Sequence, residues 1–268
     1  GGLDSTQALL VCAQAFDLLG LPRDGILAYT MPGFATSDHT KSNAWALMKS
    51  LGVTASELDI KPAATQMLSD IGHPYSSGKS LYDITFENVQ AGLRTDYLFR
   101  LANYHGGIVI GTGDLSELAL GWCTYGVGDQ MAHYNVNAGV PKTLIQHLIR
   151  WIIGTKRFAD DVLATLDAIV STEISPELVP VAAGETPQST EAKIGPYALQ
   201  DFTLFHILRY GFVPSKIAFM ALHTWEDPTR GDWPPHFHAD RRVAFDLEQI
   251  RHWMEVFLTR FFAFSQFK

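Results

Sequence analysis

Two short apolar runs, "GILAYTMPG" at residues 25–33 and "GIVIGTGD" at 107–114, each close on a glycine-bearing turn, and helical patterns precede and follow both. This alternation constrains the fold more than any other feature. Short buried strands separated by helices pair in parallel through crossover connections, because a parallel neighbour cannot be reached by a tight hairpin. Before the first run, Leu9, Cys12, Phe16 and Leu19 recur at helical spacing up to Gly20. Residues 39–52 read as a helix stopped by glycine, 54–60 as a strand, and 81–106 as a long helix. After residues 107–114, "LSELALG" returns to helix. The expectation is an α/β fold with a doubly wound parallel sheet, in which ligands bind where strands end in loops.

Past Tyr134 the strand signals stop, and residues 141–154, 158–171, 198–211, 214–225 and 244–264 all read as helices. Residues 175–196, "SPELVPVAAGETPQSTEAKIGP", are rich in Pro, Gly, Ser, Thr and Glu and read as a mobile loop long enough to act as a lid. Nothing in the composition marks a linker or an internal repeat, so one domain with a helical C-terminal part is expected over residues 1–268.

Charge narrows the class of partner. The net charge is −8, with no lysine or arginine cluster beyond short pairs such as "DRRV", so a nucleic-acid partner held by counterion release is excluded. Cys12 and Cys123 lie far apart without metal-type spacing, and the plain reading is two reduced thiols in a cytoplasmic protein. No apolar run reaches the roughly 18 residues that a membrane span requires.

The two turns carry the chemistry. In "GGLDST", Gly1 and Gly2 let backbone N–H groups approach an anion, Ser5 and Thr6 add hydroxyl donors, and the helix that begins there contributes its positive end. Such a turn is a phosphate cradle, but it lacks the lysine of a Walker A loop. Asp4 beside phosphates calls for a cation between them, which Mg²⁺ supplies. "GTGDLSELALG" at residues 111–121 repeats the order of glycine, hydroxyl, acid and helix, and a parallel sheet brings Thr112 and Glu117 toward the ligand that Asp4 faces. The competing structural reading makes Asp4 a helix cap, Asp114 and Ser116 caps, and Glu117 a solvated helix residue.

"GGLDST" resembles the SGGxDS loop of the N-type ATP pyrophosphatases, without its leading serine. With "FENVQAGLRTDYLF", "GTGDLSELALGWCTYGVGDQMAHYNVNAGVPKT" and the terminal "FSQFK", essentially the whole chain is similar to the synthetase domain of the long, glutamine-dependent NAD⁺ synthetases. The resemblance implies an adenine nucleotide alpha hydrolase-like fold. It also implies ATP-dependent conversion of deamido-NAD to NAD through an adenylated carboxylate, with Mg²⁺ and with ammonia released from glutamine by an upstream nitrilase-like glutaminase domain. The leading strand and that domain are expected to precede this segment. Relatives build the substrate site at a subunit boundary, so a homodimer core within a larger homo-oligomer is implied.

Residue by residue, the resemblance assigns Gly1, Gly2, Leu3, Asp4, Ser5, Thr6, Thr112, Lys142 and Ser175 to ATP, and Asp4 and Glu117 to the metal. Asn88, Arg94, Glu117, Trp122, Cys123, Thr124, Tyr125, Asp129 and Lys268 fall on the side of the deamido-NAD substrate, with Trp122 or Tyr125 suited to stack on the pyridine. Gly92 stands where many relatives carry an arginine, and Arg94 is the available replacement. No protein nucleophile is required, and Cys123 reads as a small buried thiol. Two readings compete: another amidating or adenylating enzyme of the pyrophosphatase class, such as a GMP synthetase-like one, or a nucleotide-binding module without catalysis. His236 and His238 lack a third ligand, His133 reads as a hydrogen-bonded structural histidine, and the aromatic tail at 253–264 reads as core or subunit interface.

Overall fold

The helical spacing that opens the chain closes as α1 (Leu3–Leu19), and the chain then leaves that helix because Gly20 adopts a left-handed conformation, φ 67°. The same device ends α2 (Asp38–Leu51) at Gly52, and Ser37 caps its start by accepting a hydrogen bond from Thr40 N. The computed structural model describes residues 2–124, 126–128, 130–172, 178–180, 189–234, 237, 239 and 242–265. Among the described residues the other α-helices are α3 (Lys61–Asp70), α4 (Ile84–His105), α5 (Leu115–Leu120), α6 (Lys142–Thr155), α7 (Asp160–Ser171), α8 (Thr190–Ile194), α9 (Tyr197–Tyr210), α10 (Pro214–Trp225) and α11 (Leu247–Thr259).

The α/β class and the parallel pairing stand. Strand β1 (Leu27–Thr30) pairs in parallel with β2 (Thr54–Glu57), Leu27 opposite Thr54 and Thr30 opposite Glu57. Strand β3 (Ile110–Gly111) pairs in parallel with β4 (Tyr134–Asn135). Among the described residues these form two separate two-stranded sheets rather than one continuous sheet. Side chains replace ladder bonds around the second pair: Val109 N donates to His133 Nδ1 at 3.0 Å, and Asn135 Nδ2 donates to Gly113 O at 2.8 Å. Side-chain partners satisfy the backbone there without extending the strand.

Four expectations need correction. β1 is half-exposed rather than buried, with Leu27 41% accessible. A short strand forms at Tyr134–Asn135, a segment that carried no strand assignment. α3 folds in a stretch that carried no helix assignment, with Pro62 in its first turn. Within the presumed loop at 175–196, residues 190–194 form α8 and Ile194 is fully buried; residues 175–177 and 181–188 of that loop lie outside the described residues.

The core that positions the site lies between α1, α2, α6 and α7, where Leu10, Leu51, Ile145, Ile149 and Leu166 are fully buried. Each such side chain contributes about 1.5–3 kcal/mol on leaving water. α1 packs directly on α6, and the contact of Asp4 with Lys142 puts their N-termini at the same end. A second cluster joins α5, α9 and α11 through Leu120, Tyr197, Leu204 and Phe257. The aromatic tail contributes Phe257 to this core and leaves Phe262 exposed.

Candidate active site

Three helix N-termini converge. Asp4 is the second residue of α1, after the N-cap Gly2, and Ser5 Oγ donates back to Gly2 O at 3.0 Å. Asp114 caps α5 through Oδ1, which accepts from Glu117 N at 2.8 Å, and Glu117 completes a reciprocal capping box. Lys142 is the first residue of α6. Its ammonium, on a side chain only 1% exposed, lies 2.7 Å from both carboxylate oxygens of Asp4, 2.6 Å from Asp114 Oδ2 and 2.9 Å from Glu117 Oε1. The three acids offer ligand atoms that all lie within 4.8 Å of one another.

So many like charges cannot be buried without a shift in ionisation. Burial pushes Asp4 up to about 6, with Lys142 opposing and Asp114 adding to the rise. Burial and then the Asp4 charge push Glu117 up to about 8, with Lys142 opposing the rise. Burial works against the Lys142 ammonium, but Glu117, Asp4 and Asp114 together outweigh it and raise its pKa. Hard carboxylate oxygens converging where a protein cation already sits are a donor set that fits Mg²⁺.

Side chains that carried no assignment in the sequence hold this arrangement. Asn137, 1% exposed, donates from Nδ2 to Asp4 O and to Thr112 O, each at 3.0 Å, and so ties the two glycine turns together. Asp201 on α9 accepts from Ser116 Oγ and from Thr143 N and Oγ1. Tyr197, one helical turn before Asp201, is buried with its ring 5.7 Å from Lys142 Nζ. Asp114 is more than a cap, since its second oxygen faces Lys142. The available signal was an acid four residues after a tyrosine on an otherwise apolar helix face in "YALQDFTLF".

The other expected residues divide by location. Thr6 is buried, Leu3 packs against the core, Ser5 and Gly2 are exposed, and Thr112 is half-buried beside Asp4 through Asn137. Asn88 and Arg94 stand on α4; Arg94 Nε donates to Met31 O at 3.1 Å, in the turn after β1. Gln90 holds the same turn, accepting from Phe34 N and donating to Leu178 O. Trp122 is half-buried against the second core cluster, with the Arg260 guanidinium 5.4 Å from its ring. Cys123 is half-buried rather than buried, and Thr124 is buried. His133 is hydrogen-bonded to Val109 N, as a structural histidine should be. Gly1, Tyr125, Asp129, Ser175, His236, His238 and Lys268 lie outside the described residues.

The family described as NAD synthase matches residues 1–202. The chain belongs to the NAD synthase family. It is 63% identical over 268 residues to a glutamine-dependent NAD(+) synthetase of Mycobacterium leprae, covering 100% of this chain and 39% of that protein. Thus the chain spans about two fifths of the length of that NAD synthase relative. Among solved structures, a glutamine-dependent NAD(+) synthetase from Cytophaga hutchinsonii shares the NAD synthase fold at 16% identity and a TM-score of 0.65, over 97% of this chain and 43% of that one. The glutamine-dependent NAD+ synthetase from Acinetobacter baumannii, solved with adenosine diphosphate, matches at 21% identity and a TM-score of 0.55, over 94% and 45%. Among the described residues no helix is long and apolar enough to cross a membrane.

Proposed function

We propose that this chain carries the ligase step of NAD formation, the ATP-dependent amidation of deamido-NAD. The observation that carries this reading is Asp4 and Glu117, donated by two separate glycine turns, meeting around Lys142 in a member of the NAD synthase family. The nicotinate carboxylate is inert to ammonia until its oxygen becomes a leaving group. Its oxygen attacks the α-phosphorus of ATP, pyrophosphate departs, and ammonia then adds to the acyl carbon and expels AMP, losing a proton to solvent. The chain's share is to align the reactants and neutralise phosphate charge. Gly2, Ser5, Thr6 and Thr112 face the phosphates, Lys142 supplies a positive charge, and Asp4 and Glu117, with Asp114 beside them, would hold Mg²⁺. The ion, when bound, supplies charge neutralisation on the departing pyrophosphate. Asn88, Arg94, Trp122, Cys123 and Thr124, with Tyr125, Asp129 and Lys268, belong to the dinucleotide side, and Gly1, Leu3 and Ser175 join the ATP side.

Ammonia comes from a glutaminase domain in the longer protein, the enzyme works as a homodimer core within a larger homo-oligomer, and its compartment is the cytoplasm. The Acinetobacter protein of this fold, solved with adenosine diphosphate, supports a nucleotide as one ligand. The test follows AMP, pyrophosphate and NAD from ATP, Mg²⁺, ammonium and deamido-NAD. Asp4→Asn and Glu117→Gln are expected to lower kcat by at least about 100-fold. Equal stimulation by xanthylate or aspartate would replace deamido-NAD as the substrate, and full activity of both variants would leave a nucleotide-binding module.

A further inference from the structure

We infer that Asp201 is a positioning residue for Lys142 and Glu117, acting on the starts of two helices at once. The first N–H groups of a helix have no partner inside it. At the start of α6 the N-cap is Pro141, which offers no side-chain acceptor. The missing acceptor comes from α9. Asp201 Oδ2 takes the Thr143 backbone N–H at 2.9 Å and the Thr143 hydroxyl at 2.7 Å. Its other oxygen takes the Ser116 hydroxyl at 2.5 Å, and Ser116 Oγ in turn accepts from Lys142 N at 2.8 Å.

One carboxylate therefore anchors both leading N–H groups of α6, one directly and one through Ser116. Ser116 sits between Leu115 and Glu117 in the first turn of α5. Thus the backbones that carry Glu117 and Lys142 are tied to each other through a group that touches neither functional side chain. Asp201 is 7% exposed and Ser116 1% exposed. A charge so deep is tolerated only with several donors, and these donors come from residues adjacent to Lys142 and Glu117. A slack clamp lets the ammonium and the acids drift by amounts that matter for a cation bound between them.

This inference rests on the reading of the cluster as a cation and nucleotide site, and two readouts separate them. The first is reactivity of the Lys142 amine toward an amine-acylating reagent, measured by peptide mass spectrometry. The second is Mn²⁺ affinity by electron paramagnetic resonance. Wild-type Lys142 is protected. In Asp201→Ala the amine becomes several-fold more reactive and Mn²⁺ binds about 10- to 100-fold more weakly. Asp201→Asn restores both, because the amide oxygen still accepts from Thr143 and its NH₂ can donate to Ser116. A merely structural role would lower stability and leave both readouts unchanged in the folded protein. Should Asp201→Ala not fold, Ser116→Ala, which cuts the relay from Asp201 to Lys142 N and leaves the Asp201–Thr143 contacts in place, carries the test. Unchanged reactivity and Mn²⁺ affinity in the folded variant would overturn the inference. A wild type that binds no Mn²⁺, beside variants with an exposed Lys142, would sustain the clamp and overturn the proposed function.

Discussion

The Lys142 ammonium lies 2.7 Å from both carboxylate oxygens of Asp4, a residue 138 positions earlier in the chain. With Asp114 and Glu117 also within reach, one buried cation partly balances three acids. Lys142→Met removes that balance. In the absence of metal, the unfolding free energy is expected to fall by about 3 kcal/mol, as when one partner of a buried ion pair is lost. Mg²⁺ should recover much of it. Urea unfolding with and without Mg²⁺ reads the difference, and an identical loss in both conditions would refute an ion site.

The raised acids set a pH dependence. Glu117 titrates at about 8 in the folded chain against 4.5 ordinarily, and Asp4 at about 6 against 3.8. Between those limits the folded state binds more protons than the unfolded state, so stability is greatest at the acid end and falls as pH rises toward 8. Metal-free Tm measured at pH 5, 6, 7 and 8 should decline. The decline should be absent in Glu117→Gln over its upper half.

Asn137→Ala cuts both hydrogen bonds that tie the two turns. Leaving buried carbonyl groups without their donor costs about 1–3 kcal/mol. The turns that separate are those assigned to ATP, so the KM for ATP should rise more than that for deamido-NAD. Steady-state kinetics with each substrate varied gives the comparison.

Gly33→Ala introduces a Cβ that collides with Gln90 Oε1 and lies 3.1 Å from Arg94 Nη2. Gln90 cannot swing away cheaply, because it is fully buried and holds Phe34 N, Phe86 O and Leu178 O. Overpacking of this kind costs about 1–3 kcal/mol. In a Gln90→Ala background the same substitution should cost less, and a double-mutant cycle by urea unfolding measures the coupling.

Much of this was legible from residue order. Periodicity located α1, α2, α6, α7, α9, α10 and α11, and left-handed glycine stops closed α1, α2 and α9, since 3.6-residue spacing and such caps are local properties. The two glycine turns pointed to Asp4, Thr112 and Glu117 because phosphate and metal chemistry needs small residues, hydroxyls and acids in order along the chain. β3 was overextended, because an apolar run does not reveal that side chains of His133 and Asn135 will take the backbone bonds next to it. α3 was missed because its single buried face, Ala64 and Leu68, is too slight a pattern.

The sequence by itself determined the parallel α/β class, the two acid-bearing turns and the family to which they belong, because each is written in neighbouring residues. Only the tertiary structure decided that Lys142 sits among three acids, that Asn137 ties the turns, and that Asp201 caps a helix it does not belong to. Those contacts depend on the packing of α1 and α9 against α6, and on how burial shifts the charges enclosed between them. Spacing along a chain encodes neither a distance across a core nor the solvent lost there.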